Sequence, residues 1–146
     1  MLREHVENET ELGLVAKEIL NKGNLVSDEL VTSMLIERLE NDDCEIGAIL
    51  DGFPRTIAQA ESLNIEGLNI KTVILFEVNE TELIKRMVER GREDDTEESI
   101  KVRLDVYRDE TLPLINFYDD KDVLKTVDAF GDIDEIFNHI SGLMKT

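Results

Sequence analysis

The sequence predicts an α/β fold in which helices cover a parallel β-sheet. Three short apolar runs, at 46–50, 72–78 and 123–127, are typical of buried strands. Segments with apolar residues at helical spacing lie before, between and after these runs. Strands that alternate with helices indicate a parallel sheet with helical layers. The length of 146 residues suits one domain with a real core.

Two helices are predicted before the first strand. One covers 11–22, and Gly23 stands where the C-terminal glycine of a helix belongs. The other begins at Ser27, a capping residue followed by two acids that suit the positive end of the helix dipole. It continues to about Glu40, and a polar break at 41–43 separates it from the strand.

Further helices follow the first strand. Apolar spacing predicts a short helix over 57–63 and another over 114–118 behind a proline, which interrupts the preceding helix. Asn79 or Thr81 is expected to cap a helix that stops at Gly91. The long helix before that proline has an apolar stripe formed by Ile100, Leu104 and Tyr107. A closing helix is marked by Ile133, Ile136, Phe137 and Ile140.

Composition limits the classes of partner. The chain has 34 acids against 16 bases, a formal net charge of -18, and such a surface repels nucleic acid and anionic membranes. The net charge does not exclude a small anionic ligand, because a local cluster of basic residues can make the electrostatic potential positive at a binding site. The sequence has no apolar run long enough to span a membrane and no signal-peptide pattern, and its one cysteine, Cys44, fits a reducing compartment. We therefore expect a cytoplasmic monomer that acts on small molecules.

The heptapeptide at 50–56 is the strongest local signal. The first predicted strand ends in Asp51, and Gly52, Pro54 and Arg55 follow. Such a turn places charged groups at the edge of a parallel sheet, where α/β enzymes bind ligands. The proline restricts the turn, so that the arginine is presented beside the acid, and arginine suits bidentate contact with phosphate. The alternative is an ordinary strand-to-loop turn with a surface arginine.

Several separated motifs, in the same order along the chain, resemble the adenylate kinase family. They are the heptapeptide at 50–56, the segment 92–100 with Arg103, Leu104 and Tyr107, the segment 111–115 with Tyr118, and the segments 1–3 and 23–29. The resemblance implies reversible transfer of a phosphoryl group from MgATP to AMP. It also implies the fold of that family, a P-loop NTPase-type parallel sheet with helices on both faces.

The resemblance implies roles for five arginines. Arg3 and Arg55 would hold the phosphate of AMP. The other three, Arg90, Arg92 and Arg103, would gather around the phosphates of ATP and the moving phosphoryl group. For Arg90 and Arg92, a local ion-pair mesh with the neighbouring acids is the alternative, and the two interpretations are compatible. Arg86 has no counterpart in the family and is expected to be a solvated helix residue.

The resemblance also assigns the remaining site residues. Asp51 would hold Mg²⁺ through water, since Mg²⁺ keeps several waters and takes few carboxylates; its alternative role is to cap the following turn. Gln59 would contact the adenine edge, and the alternative is an exposed helical glutamine. Leu25 and Val26 would border the base, and Gly52 would contribute to the AMP site. No direct metal ligand is expected.

Two departures from the family pattern qualify these expectations. The sequence contains no glycine-rich, lysine-bearing phosphate loop. We therefore expect an N-terminally truncated form that lacks the central strand and P-loop, rather than a natural half-module. Gly91 alone separates the two lid arginines, so the lid is a very short joint. The expected division is 1–40 for monophosphate-binding helices, 46–89 for core, 90–95 for the joint and 96–146 for the C-terminal core.

Two alternative functions remain open from the sequence. The first is a kinase for UMP or CMP, because Thr56 and Gln59 favour adenine without deciding the acceptor. The second is a non-catalytic nucleotide-binding module, which would need no phosphate loop. As an enzyme, the 146-residue polypeptide is expected to be inactive or nearly so.

Overall fold

The structure, a computed structural model, describes residues 1–144 apart from the side chain of Leu12, so the last two residues of the predicted segment 96–146 lie outside it. The helices are α1 Leu2–Glu7, α2 Glu11–Asn21, α3 Asp28–Leu39, α4 Ile57–Ile65, α5 Glu80–Arg90, α6 Glu97–Val106, α7 Leu114–Asp119 and α8 Ile133–Leu143. The strands are β1 Val73–Glu77 and β2 Leu124–Asp128. A 3-10 turn covers Asp42–Cys44, and a π-helical turn, Tyr107–Thr111, follows α6.

The two strands pair in parallel, as predicted. Val73 lies opposite Leu124 at one end of the pair, and Glu77 lies opposite Asp128 at the other. Helices α7 and α8 both pack against β2, and α4 packs against α7. A cluster of buried residues with half-buried neighbours joins these elements; its members include Ala60, Leu114, Tyr118, Ile57, Val73 and Leu124. The predicted α/β class is therefore confirmed.

The strand predicted at 46–50 does not form, and this prediction was wrong. Ile46 and Ile49 are almost fully exposed, and residues 47–50 have no regular secondary structure. Among residues 1–144, no other segment forms backbone hydrogen bonds with 48–50. A strand is stable only when a neighbour satisfies its backbone groups and covers its apolar face. An apolar run cannot become a strand without such a neighbour.

The helix ends follow the predicted signals. Ser27 accepts a hydrogen bond from the backbone of Leu30 at the start of α3, and Asn79 rather than Thr81 caps α5. Gly91 adopts the left-handed conformation, φ 63°, at the end of α5. The proline-interrupted helix is also confirmed, because α6 and its π-helical turn end before Pro113 and α7 follows it. These ends fix the lengths of the joints that carry the charged side chains.

The N-terminal helices pack against the rest of the chain, and two of these contacts involve α3 and the turn after α2. Helices α3 and α4 pack together, and the turn after α2 lies against the start of α6. In that turn Gly23 is buried with φ 80°, and a Cβ atom there would lie 2.6 Å from the carbonyl oxygen of Ser99. This close approach and the left-handed backbone require glycine. Among residues 1–144, no helix is long and apolar enough to cross a membrane.

Candidate active site

Two aspartates in the joint between α5 and α6 organise the charged site. Asp94 is 5% exposed, and its carboxylate accepts a hydrogen bond of 2.9 Å from Nη2 of Arg3 and another from Nη2 of Arg103. Its backbone carbonyl accepts from the hydroxyl of Ser99. The short joint therefore draws an arginine from α1 and an arginine from α6 onto one carboxylate.

Asp95 binds Arg90 and a second donor of the same Arg103. Its side chain is 1% exposed, and Arg90 binds it with two hydrogen bonds, Nε to Oδ2 at 2.9 Å and Nη2 to Oδ1 at 2.7 Å. Nη1 of Arg103 donates to Oδ1 at 2.7 Å, and the backbone N–H of Arg92 donates to Oδ2 at 3.3 Å. The predicted ion-pair mesh is present for Arg90, whereas the side chain of Arg92 is not part of it.

The ion pairs change the pKa values of both acids. Burial alone would raise the pKa of Asp94, but the guanidinium groups of Arg3 and Arg103 outweigh burial and hold that pKa below its ordinary value. Hydrogen bonds from Arg90, opposed by burial and reinforced by Arg103, hold the pKa of Asp95 well below its ordinary value. Both carboxylates are therefore negatively charged at neutral pH.

The guanidinium groups of Arg55 and Arg92 have no carboxylate hydrogen-bond partner within residues 1–144. Nε of Arg55 donates to the backbone carbonyl of Gly52 at 2.7 Å. The residue keeps exposed surface, yet partial desolvation of its guanidinium, and then the positive charges of Arg103 and Arg3, lower its pKa. The pKa of Arg92 is lowered for the same reasons, with Arg3 and Arg90 as the charged neighbours. A bound anion would relieve this repulsion.

The site thus carries five arginines against two paired aspartates in a chain of net charge -18. Three arginines are already held by carboxylates, and two present donors without one. Guanidinium groups bind the oxygens of carboxylate and phosphate with similar geometry. The carboxylates can therefore preorganise the arginines for phosphate oxygens without occupying all their donors.

Asp51 and Gly52 lie at the edge of this cluster. Asp51 is exposed, and its negative charge partly offsets the lowering of the pKa of Arg55. Gly52 has φ 71°, and a Cβ atom there would lie 2.8 Å from Nη2 of Arg55. Glycine therefore allows the arginine to fold back over the turn. Among the described residues, no group of three or more His, Cys, Asp or Glu could hold a metal ion.

Gln59 lies behind the turn and is 3% exposed, so the alternative of an exposed helical glutamine is wrong. Its Oε1 accepts from the backbone N–H of Arg55 at 2.6 Å, and its Nε2 donates to Asp28 at 2.8 Å. Val26 is buried and Leu25 is half-buried in the segment between α2 and α3. Contact of these three residues with a base stays a prediction.

Sequence reasoning missed two residues that support the turn. Asp28, the first residue of α3, accepts hydrogen bonds from the side chains of Thr56 and Gln59. The hydroxyl of Thr111 donates to the backbone carbonyl of Arg55 at 2.8 Å. An acid in the first turn of a helix is ordinary, so no signal in the sequence marked Asp28. The predicted solvated residue Arg86 pairs with Glu82 on its own helix.

Comparison with known proteins decides the family. The adenylate kinase family model matches residues 1–123. The adenylate kinase of Mycobacterium sp. (strain MCS) is 47% identical over 141 residues, 94% of this chain and 77% of that protein. The adenylate kinase of Mycobacteroides abscessus is 46% identical over 145 residues, 97% of this chain and 79% of that protein. The chain belongs to the adenylate kinase family.

Family membership confirms the resemblance carried by the heptapeptide and the segments around it. A third relative, the adenylate kinase of Mycobacterium tuberculosis, is 45% identical over 141 residues, 94% of this chain and 77% of that protein. Adenylate kinases are nucleoside monophosphate kinases, a class of phosphotransferases. The arginine cluster therefore lies in a member of a phosphotransferase family.

Proposed function

We propose that the arginine cluster binds the phosphate groups of MgATP and AMP for reversible phosphoryl transfer to two ADP. The observation that carries this proposal is a cluster of five mutually interacting arginines in an acidic chain, three of which are paired with Asp94 or Asp95. Phosphoryl transfer needs alignment of donor and acceptor and neutralisation of the transferred group more than covalent chemistry from the protein. Convergent guanidinium groups supply both.

The position of each arginine suggests a division of work. Arg3 comes from α1 and Arg55 from the turn before α4, and these two are assigned to the phosphate of AMP. The other three, from the end of α5, the joint and α6, are assigned to the phosphates of ATP and to the transition state; they are Arg90, Arg92 and Arg103. Asp94 holds Arg3 beside Arg103, so the two groups meet where the phosphoryl group would pass.

Magnesium enters as part of the substrate MgATP. A single exposed carboxylate, Asp51, stands beside Arg55. This fits an ion that keeps most of its waters and is bound through few carboxylates and the substrate phosphates. Asp51 would hold such an ion through water. The ion would neutralise phosphate charge, while the protein groups orient the nucleotides.

The test separates binding from turnover in the 146-residue polypeptide. Titration calorimetry should detect binding of AMP and of MgATP to the wild-type polypeptide. Arg55→Ala should weaken the binding of AMP about 10–100-fold, which is the effect expected for loss of a charge-assisted contact. Arg86→Ala, which removes an arginine paired with Glu82, is the matched control. Absence of AMP binding, or equal effects of the two substitutions, would contradict the proposal.

A nucleotide-binding module without turnover is the second candidate. The 146 residues contain no glycine-rich, lysine-bearing loop, so low turnover is proposed for this polypeptide alone. Such a loop contributes backbone donors and a lysine that lower the barrier by several kcal/mol in phosphoryl transfer. A coupled assay should therefore find turnover far below that of a Mycobacteroides abscessus relative. Turnover within about tenfold of that relative, about 1.4 kcal/mol in the barrier, would contradict this expectation.

A further inference from the structure

Asp28 joins two helices through side chains that lie far apart in sequence. It is the first residue of α3, and its two carboxylate oxygens bind the start of α4. Oδ2 accepts from the hydroxyl of Thr56 at 3.0 Å, and Oδ1 accepts from Nε2 of Gln59 at 2.8 Å. The carboxylate therefore fixes the carboxamide of Gln59 from one side.

The backbone of Arg55 fixes the same carboxamide from the other side. Its N–H donates to Oε1 of Gln59 at 2.6 Å. An N–H can only donate and a carboxylate can only accept, so the amide oxygen must face Arg55 and the amide nitrogen must face Asp28. A flipped amide would make two repulsive contacts, and Gln59 is 3% exposed, which leaves little water to relieve them.

The fixed amide has one N–H and one oxygen lone pair left over, in a defined order. Adenine presents an amino donor beside a ring nitrogen that accepts, and this order complements the amide, as in other glutamine–adenine contacts. Cytosine presents the same order. Hypoxanthine and uracil carry a carbonyl oxygen in place of the amino group, so that oxygen would face the amide oxygen.

We propose that Asp28 is a positioning residue that sets base specificity by holding Gln59 in one amide orientation. It selects nucleoside monophosphates whose base carries an amino group beside an unprotonated ring nitrogen, and it disfavours the corresponding carbonyl bases. This inference rests on the proposed function, because it requires Gln59 to meet the base of the bound monophosphate. Asp28 itself does not need to contact the nucleotide.

The experiment measures binding to the 146-residue chain by titration calorimetry. The probes are AMP, IMP, CMP, UMP and ribose 5-phosphate, which lacks a base. The variant is Asp28→Asn, which keeps the shape but can present either an oxygen or an N–H to Gln59, so that acceptance is no longer obligatory. Glu29→Gln is the matched control, because Glu29 is an exposed acid in the same first turn of α3. Asp28→Ser is a second variant, since serine is tolerated at helix starts.

The wild-type chain should bind AMP about 10–100-fold more tightly than IMP, the discrimination expected of a bidentate base contact. CMP should bind more tightly than UMP. Asp28→Asn should reduce the ratio of AMP to IMP affinity about fivefold, which is less than the full effect of losing a hydrogen bond to a charged group because the asparagine oxygen can still accept. The affinity of Asp28→Asn for ribose 5-phosphate should stay within about twofold of wild type. The affinity of the control Glu29→Gln should stay within about twofold of wild type for every probe.

Three results would overturn the inference. The first is an unchanged ratio of AMP to IMP affinity in a folded Asp28 variant, whether asparagine or serine. The second is an equal loss for all five probes, which would show a general structural role. The third is wild-type binding of AMP and ribose 5-phosphate with no base preference, which would leave the proposed phosphate site intact. Failure of the wild-type chain to bind any phosphate probe would instead overturn the proposed function and this inference together.

Discussion

Arg3 and Asp94 stand 91 residues apart in the sequence and form an ion pair, with Nη2 and Oδ2 separated by 2.9 Å. The pair connects the first helix to the joint before α6. Because Asp94 also binds Arg103, the same carboxylate aligns two arginines assigned to different nucleotides. The architecture of the charged site thus depends on an acid rather than on the arginines alone.

Replacing Asp94 with asparagine should destabilise the chain by about 1–3 kcal/mol. The substitution removes the negative charge and leaves the arginines without their counterion. The destabilisation should be smaller than that seen for fully buried ion pairs, because Arg3 is 44% exposed and solvent screens its charge. Urea denaturation followed by circular dichroism measures the change. Glu93→Gln removes the exposed neighbouring acid and should change stability by less than about 0.5 kcal/mol. Equal changes in the two variants would contradict a specific role for Asp94.

The acids also predict a dependence of stability on pH. The ordinary pKa of an aspartate here is 3.8, and the arginines hold the pKa of Asp94 and Asp95 below it. The folded state therefore keeps both charges at a pH where the unfolded chain binds protons. This stabilisation is complete above the unfolded pKa and is lost as the pH falls towards the folded pKa.

The comparison of wild type with Asp95→Asn isolates this effect from that of other carboxylates. The difference in their urea midpoints should be constant at pH 5 to 7 and should shrink as the pH falls below about 4. Measurements at pH 7, 5, 4 and 3 cover the range. A difference that stays constant down to pH 3 would show that the ion pairs of Asp95 do not stabilise the fold.

Arg92 should matter more for anion binding than for folding. Among residues 1–144 its side chain has no hydrogen bond or ion pair, and partial desolvation, followed by its positive neighbours, lowers its pKa. Arg92→Ala should weaken binding of ATP about tenfold and make it less sensitive to salt, with stability changed by less than about 0.5 kcal/mol. Calorimetry at two ionic strengths measures the affinity and its dependence on salt, and urea denaturation measures the stability. A large loss of stability with unchanged ATP affinity would reverse this assignment.

Gly23 should be intolerant of a side chain. Its φ of 80° and the 2.6 Å approach of a Cβ atom to the carbonyl of Ser99 predict that Gly23→Ala destabilises the fold by about 1–3 kcal/mol. Gly142 lies within α8, and a methyl group there would meet open space. The substitution Gly142→Ala should therefore be neutral or should stabilise the fold by up to about 1 kcal/mol. Thermal unfolding compares the two variants. A neutral Gly23→Ala would mean that the turn moves easily away from α6.

The helices and their ends could be predicted because they depend on neighbouring residues. Ser27 and Asn79 cap helices by bonding the backbone three residues ahead, and Gly91 ends one by its own conformation. The strand at 46–50 could not be judged in this way. Its formation depends on a neighbouring strand, and that requirement is absent from its own five residues.

The site divides along the same line. Arg55 and Arg103 could be proposed from motifs, and the mesh around Asp95 from the density of charge in the joint. The long-range partners could not be predicted. Asp28 with Gln59 and Arg3 with Asp94 are 31 and 91 residues apart, and their pairing depends on how the helices pack. The burial of Gln59 could not be predicted either, because the sequence of α4 has little apolar periodicity to indicate which face of the helix is buried.

The paired carboxylates of Asp94 and Asp95 have a consequence for the lifetime of a complex. Under the proposed function, Arg3, Arg90 and Arg103 would keep a carboxylate counterion after a phosphate leaves, so dissociation would not leave bare positive charges behind. With the site as proposed, the aspartates would lower the cost of release and shorten the residence time of the nucleotide, while the next nucleotide would still meet the unpaired guanidinium donors of Arg55 and Arg92. Exchange of nucleotides would then proceed without exposing an uncompensated cluster of positive charge.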